Sequence, residues 1–371
     1  RFTVPKAFSK SLLDNLPEQV MVLDEYKRGY SIPTSTMIKT TTHSKQAFAD
    51  NLRSFTMYQK PQTTKLTDTV DMNFSENAKA FSNDAMNGVN LSFNYHKDNI
   101  TADFSFTQNA KEGTKSYFDQ SLRNPFTTSA TDVYAFQNGY NLTKELKVGF
   151  GASVGKNNFF DGNERVDYRH DKSIKTGELN FDYQPVSYAK VNFTGGILEE
   201  NGSLLGLNGL GGLKTQDGQT YFMGSQLTVE PTKKVRLSAA YYYGTGGFKK
   251  QENALMHLSK VQSESMAFKA EYQFDEDVLF GARAFSPLHI KKAKATFDLP
   301  VGRSYTETTV YRERVTANLR PEAKEWDFGV FSVYNMDAWT FQAEALTRLN
   351  PENQADMKPD YRLMFSVGFG Y

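Results

Sequence analysis

Proton transfer near neutral pH falls first to histidine, and the chain has five: His43, His96, His170, His257 and His289. A nucleophilic hydrolase needs a Ser or Cys beside such a base, with an acid to orient it. None of the five lies in a recognisable motif, and three fall at or in expected loops. Pro33-Thr34-Ser35-Thr36-Met37 echoes a Gly-Thr-Ser-Met serine elbow but lacks its glycine, and reads as linker. With no Cys and no His-x-x-x-His there is no zinc pattern. Gly206–Gly212 is glycine-rich without the Lys-Ser/Thr of a phosphate loop. Asn201-Gly202-Ser203 is a glycosylation triplet in form alone, and Glu199-Glu200 reads as loop solvation. The expectation is a chain with no catalytic residues, no metal and no cofactor.

A second set of polar residues has a different use. Lys147, Arg236, Lys269, Glu271, Glu344 and Arg362 each stand at the polar step of an alternating run. Such residues line a wet lumen when the apolar step faces lipid. Their mixed signs fit either a merely solvated wall or a wall that grips a plug, or passes a polar chain or solute.

The elements that position them follow from a two-residue period. At the end of the chain Tyr361, Leu363, Phe365, Val367, Phe369 and Tyr371 alternate with Arg362, Met364, Ser366, Gly368 and Gly370. One face of that strand is wholly apolar. Soluble termini are usually frayed and polar, whereas a membrane barrel needs its last strand to pair with its first and leave no edge. Val89, Leu91, Phe93 and Tyr95 alternate likewise, as do Val235, Leu237, Ala239, Tyr241 and Tyr243, and Trp339, Phe341, Ala343 and Ala345. Links near 97–99, 142–144, 230–233, 275–277 and 335–337 are short, while those between them are long and polar. Short turns at one end and long loops at the other mark a transmembrane barrel and not a Greek-key sandwich.

Composition agrees. Apolar residues make up 39% and the mean hydropathy is −0.57, values of a soluble chain, yet aromatics reach 14%, with 20 Tyr and 29 Phe. A barrel reconciles the two, because half of each strand is wet and the girdles are aromatic. No run nears the ~18 apolar residues of a spanning helix. A net charge of +1 gives no basic excess for nucleic acid. The lack of cysteine fits an oxidising, extracytoplasmic compartment, with chance as the plainer alternative. Arg1–Pro5 has no apolar signal region, so position 1 is expected to lie within a longer precursor.

The expected fold is an all-β transmembrane antiparallel barrel over 67–371, counted at 12–14 strands: twelve from Ile100, a thirteenth at Val89–Tyr95, a fourteenth from Val70. Residues 1–66 form a junction. Within it Gln19–Asp24 reads as a short buried strand. Phe48, Leu52 and Phe55 set a helical stripe over 44–57, capped by Ser44. That helix either packs on a neighbour or plugs the lumen.

Several short stretches together carry a resemblance. Gly196-Ile197-Leu198-Glu199-Glu200-Asn201-Gly202-Ser203-Leu204-Leu205-Gly206 resembles a loop of the translocator barrels of subtilisin-like autotransporters. Phe285-Ser286-Pro287-Leu288 and Leu299-Pro300-Val301-Gly302-Arg303 resemble that family's Ser-Gln-Pro-Leu and Leu-Pro-Val-Gly-Arg elements, without the Gln. Asp24, Tyr26, Arg28 and Tyr30 are similar to its Leu-Asp-x-Tyr-x-Arg-x-Phe junction. The closing strand is similar to the signal read by the outer-membrane insertion machinery. The resemblance implies the outer-membrane part of a type V secretion substrate, with a protease passenger ahead of Arg1 and a helix in a twelve-stranded lumen. Implied partners are outer-membrane lipid and lipopolysaccharide, the insertion machinery and the passenger. A porin or solute-specific channel is the alternative, and an adhesive barrel with partner-binding loops a third.

Overall fold

The alternating runs become one sheet. A computed structural model describes residues 2–5, 12–23, 28–41, 56–59, 62–79, 88–108, 122, 124–127, 130–157, 173–205, 207–209, 213, 215–248, 255–304, 306 and 309–369. Within these, 16 strands form a single sheet. Fourteen of the 16 have nine or more residues, from Val70–Lys79 and Gly88–Lys97 to Trp339–Leu349 and Asp360–Phe369. Each long strand runs antiparallel to its neighbours. The upper end of the expected 12–14 is therefore the count of long strands.

Two residues link Gly88–Lys97 to Ile100–Gln108, Gly218–Thr232 to Val235–Phe248, and Trp326–Met336 to Trp339–Leu349. Asp98 and Asp337 open two of these turns at φ 51° and 49°, the left-handed backbone that a tight hairpin requires. A further short turn at 187–188 is missing from the sequence reading. The opposite end carries the long connections. One of them, 293–325, holds the antiparallel arms Lys294–Arg303 and Val310–Asn318.

The two faces of the sheet differ. One exposes apolar side chains, among them Tyr361, Met223, Leu363 and Val330, each at least 60% exposed. The other is covered in its long-connection half. There Ile174, Leu198, Phe222, Ala240 and Tyr242 meet Leu12, Leu16 and Val20 from the start of the chain and Leu204, Leu205 and Leu207 from the 201–217 connection. Full burial of one such leucine is worth about 1.5–3 kcal/mol, so this cluster fastens the early residues to the sheet.

Backbone ladders fasten them further. Phe2–Pro5 pairs antiparallel with Leu207–Gly209 and parallel with Ile38–Thr41. Gln19–Leu23 and Gly29–Pro33 form a hairpin that packs on Lys294–Arg303. Val20 is 2% exposed but Leu23 is 48% exposed, so only part of the expected buried strand is buried. Residues 12–15 make one helical turn, and Thr34–Met37, inside the serine-elbow echo, is a 3-10 turn.

Two strands of the large sheet begin before residue 67. Gln62–Thr67 covers one part of the edge of Val70–Lys79. Thr56–Gln59 pairs antiparallel with the other part and parallel with Asp360–Phe369. The last long strand and the first thus share this short partner, where the sequence reading has them pair directly. Phe48, Leu52 and Phe55 of the candidate plug helix lie outside the described residues. Thr56 and Met57, the end of its expected span, are extended: pairing with two strands at once supplies the backbone hydrogen bonds a last helical turn would have made.

Candidate functional site

The covered face stays polar in its short-turn half. Strand alternation places Arg236, Lys269, Glu271 and Glu344 there, as the sequence predicts, and Arg362 on the same face but toward the long-connection end of its strand. Arg236 Nε donates to Glu230 Oε1 at 2.8 Å, and its Nη1 lies 3.9 Å from Glu271 Oε2. Glu271 Oε1 is 2.7 Å from Lys269 Nζ, and that ammonium stands 5.3 Å from the centre of the Phe331 ring. Beyond Phe331, Arg283 Nη2 pairs with Glu344 Oε1, and both side chains are fully buried. Leu346 faces Arg362 across the last ladder. Lys269 and Arg283 face each other across one ladder, each paired with its own carboxylate, Glu271 and Glu344, and five of the six predicted wall residues stand on neighbouring strands of this stretch.

Lys147 belongs to another part of the same face. It stands directly across the ladder from Asp182, which accepts from Asn192 at 3.0 Å and pairs with Lys190 at 3.3 Å. Arg283, Glu230, Asp182 and Lys190 are missing from the sequence reading. For Arg283 the signal was present, since Ala282-Arg283-Ala284 follows the same alternation as Phe280.

Geometry explains how two ionic side chains fit so tightly at Arg283 and Glu344. Gly329 lies between them, and a Cβ there would come within 2.8 Å of Glu344 Oε1. Desolvating the ions costs several kcal/mol each, which their attraction repays only with close geometry.

Between the two charged patches is a cavity of about 610 Å³, lined by Asp182, Lys190, Gln226, Glu230, Arg236, Lys269 and Glu271. Leu122, from the connection at 109–129, also borders it, and the Tyr242 hydroxyl donates to the Leu122 carbonyl at 3.1 Å. A few residues on, Phe126 is wholly buried and stacks on Phe222 with ring centres 5.1 Å apart. Gly244 leaves the room for it, as a Cβ there would lie 2.5 Å from the ring. A polar chamber thus abuts a dry one. Its amides, hydroxyls and self-paired ions can solvate a polar chain or solute. No group of three or more His, Asp or Glu residues among those described is placed to hold a metal.

The other predicted sites divide. Tyr361, Leu363 and Phe365 of the insertion signal project from the exposed face, while Val367 and Phe369 are part-covered and Tyr371 is outside the described residues. Of the junction motif, Asp24 and Tyr26 are likewise outside, and the Arg28 guanidinium lies 6.0 Å from the Tyr30 ring centre.

No family model matches the chain, and no curated protein matches it. Among solved structures it is similar to OmpT, an outer membrane protein of Vibrio cholerae folded in vitro, at 12% identity and TM-score 0.43. That match covers 83% of this chain and 89% of the other. It is also similar to the open form of Fiu, a ferric-catecholate import receptor of E. coli K12, at 12% identity and TM-score 0.27, over 85% and 73%.

Proposed function

We propose that the chain is an outer-membrane β-barrel that anchors and exports a passenger lying ahead of Arg1. The exposed apolar face supports the membrane setting, because large rings and leucines left bare over fourteen strands are stable only against lipid. Closure is part of the proposal. Thr56 pairs with Ser366, near the short-turn end of its strand, and with Lys79, at the opposite end of the first long strand. Strands tilted about 35–45° in a barrel require such an offset at the seam. The ring then closes through Thr56–Gln59, as lipid demands of a sheet that spans it.

One observation carries the secretory reading: the described early residues, 2–5, 12–23 and 28–41, sit at the long-connection end, where Phe2–Pro5 ladders to Leu207–Gly209. Long connections face the cell exterior in such barrels and short turns the periplasm. A passenger preceding Arg1 would emerge outside. The division into a 1–66 junction and a 67–371 barrel stays within this proposal, with 56–67 lending strands to the wall. So does the lumen helix expected over 44–57, less Thr56 and Met57, which are extended. The chain itself is proposed to be non-enzymatic, and its partners to be the insertion machinery, lipid and the passenger.

The test joins a folded reporter to Arg1 and places Ser35→Cys in the otherwise cysteine-free chain. Intact cells should show the reporter at the surface, and a membrane-impermeant maleimide should label the introduced thiol. A reporter held in the periplasm, with that thiol protected, would sink the secretory reading and leave a solute channel.

A further inference from the structure

The exposed face carries one polar cluster that export does not use. Lys291 and Lys324 both donate to Glu264, at 3.0 and 3.1 Å. The Tyr241 hydroxyl reaches the same carboxylate at 3.2 Å, and His289 Nε2 lies 3.8 Å from it. Lys324 also stands 5.4 Å from the centre of the Trp326 ring, the kind of residue that marks a lipid headgroup boundary. Two ammonium groups face one carboxylate, so the cluster keeps a positive charge even with His289 neutral. The Lys291 side chain remains 53% exposed.

Toward the short turns, the same face hollows out. Ala270, Ala282, Val330 and Ala345 stand side by side in register. Tyr272, Phe280, Leu363 and Phe365 rise around them and enclose an apolar groove of about 670 Å³. Ala284 continues the floor toward the lysines, flanked in register by Phe268 and Phe328, which are 51% and 41% exposed. Six residues, roughly 20 Å of extended strand, separate Ala270 from Glu264. One leaflet of hydrocarbon is about 15 Å deep, so tilted strands set the groove at acyl-chain depth and the lysines at headgroup level.

We propose that this face binds one phosphorylated, multiply acylated glycolipid of the outer leaflet, its phosphate on Lys291 and Lys324 and one acyl chain in the alanine-floored groove. A headgroup without tails would leave the groove empty, and a bare hydrocarbon would ignore the lysines. Charge and cavity in one line select a ligand with both. The site rests on the membrane setting and orientation proposed above.

The full chain is refolded into phosphatidylcholine vesicles, with Trp339→Phe so that Trp326 is the sole tryptophan, and titrated with diphosphorylated lipid A. Trp326 emission should saturate at one lipid per chain. Lys291→Ala with Lys324→Ala should weaken binding about thirtyfold. Lys144→Ala with Lys233→Ala, at the short turns, should leave it unchanged. Ala282→Phe should weaken it too, in protein whose heat-modifiable gel migration shows a folded barrel. Equal affinity for dephosphorylated lipid A or for phosphatidylglycerol, or indifference to the lysine pair in inserted protein, overturns the site alone. A chain stripped from vesicles by carbonate overturns the membrane reading and this site with it.

Discussion

Arg283 and Glu344 meet across Gly329 with neither side chain reaching solvent. A buried pair of this kind is held by geometry, and it breaks asymmetrically. Glu344→Ala leaves a guanidinium buried without its carboxylate, at a cost of about 3–5 kcal/mol. Glu344→Gln, which keeps an acceptor, should cost less. Arg283→Met with Glu344→Leu removes both charges and should fall near wild type. Urea unfolding in lipid vesicles measures all three, and a double variant as weak as Glu344→Ala would show that the charges stabilise the wall.

Phe126 closes the dry chamber above the polar one. Phe126→Ala should cost about 3–5 kcal/mol at that packing site and raise single-channel conductance in planar bilayers. Gly244→Val should act in the same direction from the other side, because its side chain occupies the space of the ring. Unchanged conductance in both would mean that Phe126 does not obstruct the lumen.

Sheet faces can be told apart by charge. Val330 projects from the exposed face and Gln226 lines the cavity. If the exposed face meets lipid, Val330→Arg should destabilise the protein by about 2–4 kcal/mol in vesicles. Gln226→Arg should stay within about 0.5 kcal/mol. Equal effects would place both residues in the same solvent.

Local periodicity made the wall legible. Alternation alone assigned Arg236, Lys269, Glu271, Glu344 and Arg362 to one face, because a strand fixes side-chain direction residue by residue. It did not reveal which of them pair, nor that Lys147 stands by Asp182. Those facts depend on which strands are neighbours and in what register. Arg283 was missed although its pattern is regular, since Ala282 and Ala284 give a weak apolar signal. The filling of the covered face was the least legible part. Leu12 and Phe126 lie far apart in sequence and reach the same core only once the sheet exists. Thr56 and Met57 read as helix because apolar spacing over a short window ignores long-range ladder partners.

The attachment of the early residues to the long-connection end can be tested through Leu12. It is 0% exposed and shares a core with Leu204 and Leu207. Leu12→Asp puts a carboxylate into that core, where an unpaired charge is far costlier than the lost leucine contacts. Leu12→Ala should loosen the contact by about 2–5 kcal/mol, and the aspartate by more. The long strands pair with each other and not with Leu12, so the sheet should keep its heat-modifiable migration. Protease added to intact cells should then cleave within residues 2–41 in Leu12→Asp but not in wild type, with Leu12→Ala between them. If all three resist equally while the sheet stays folded, the ladder of Phe2–Pro5 with Leu207–Gly209 is sufficient to hold the segment without the leucine core.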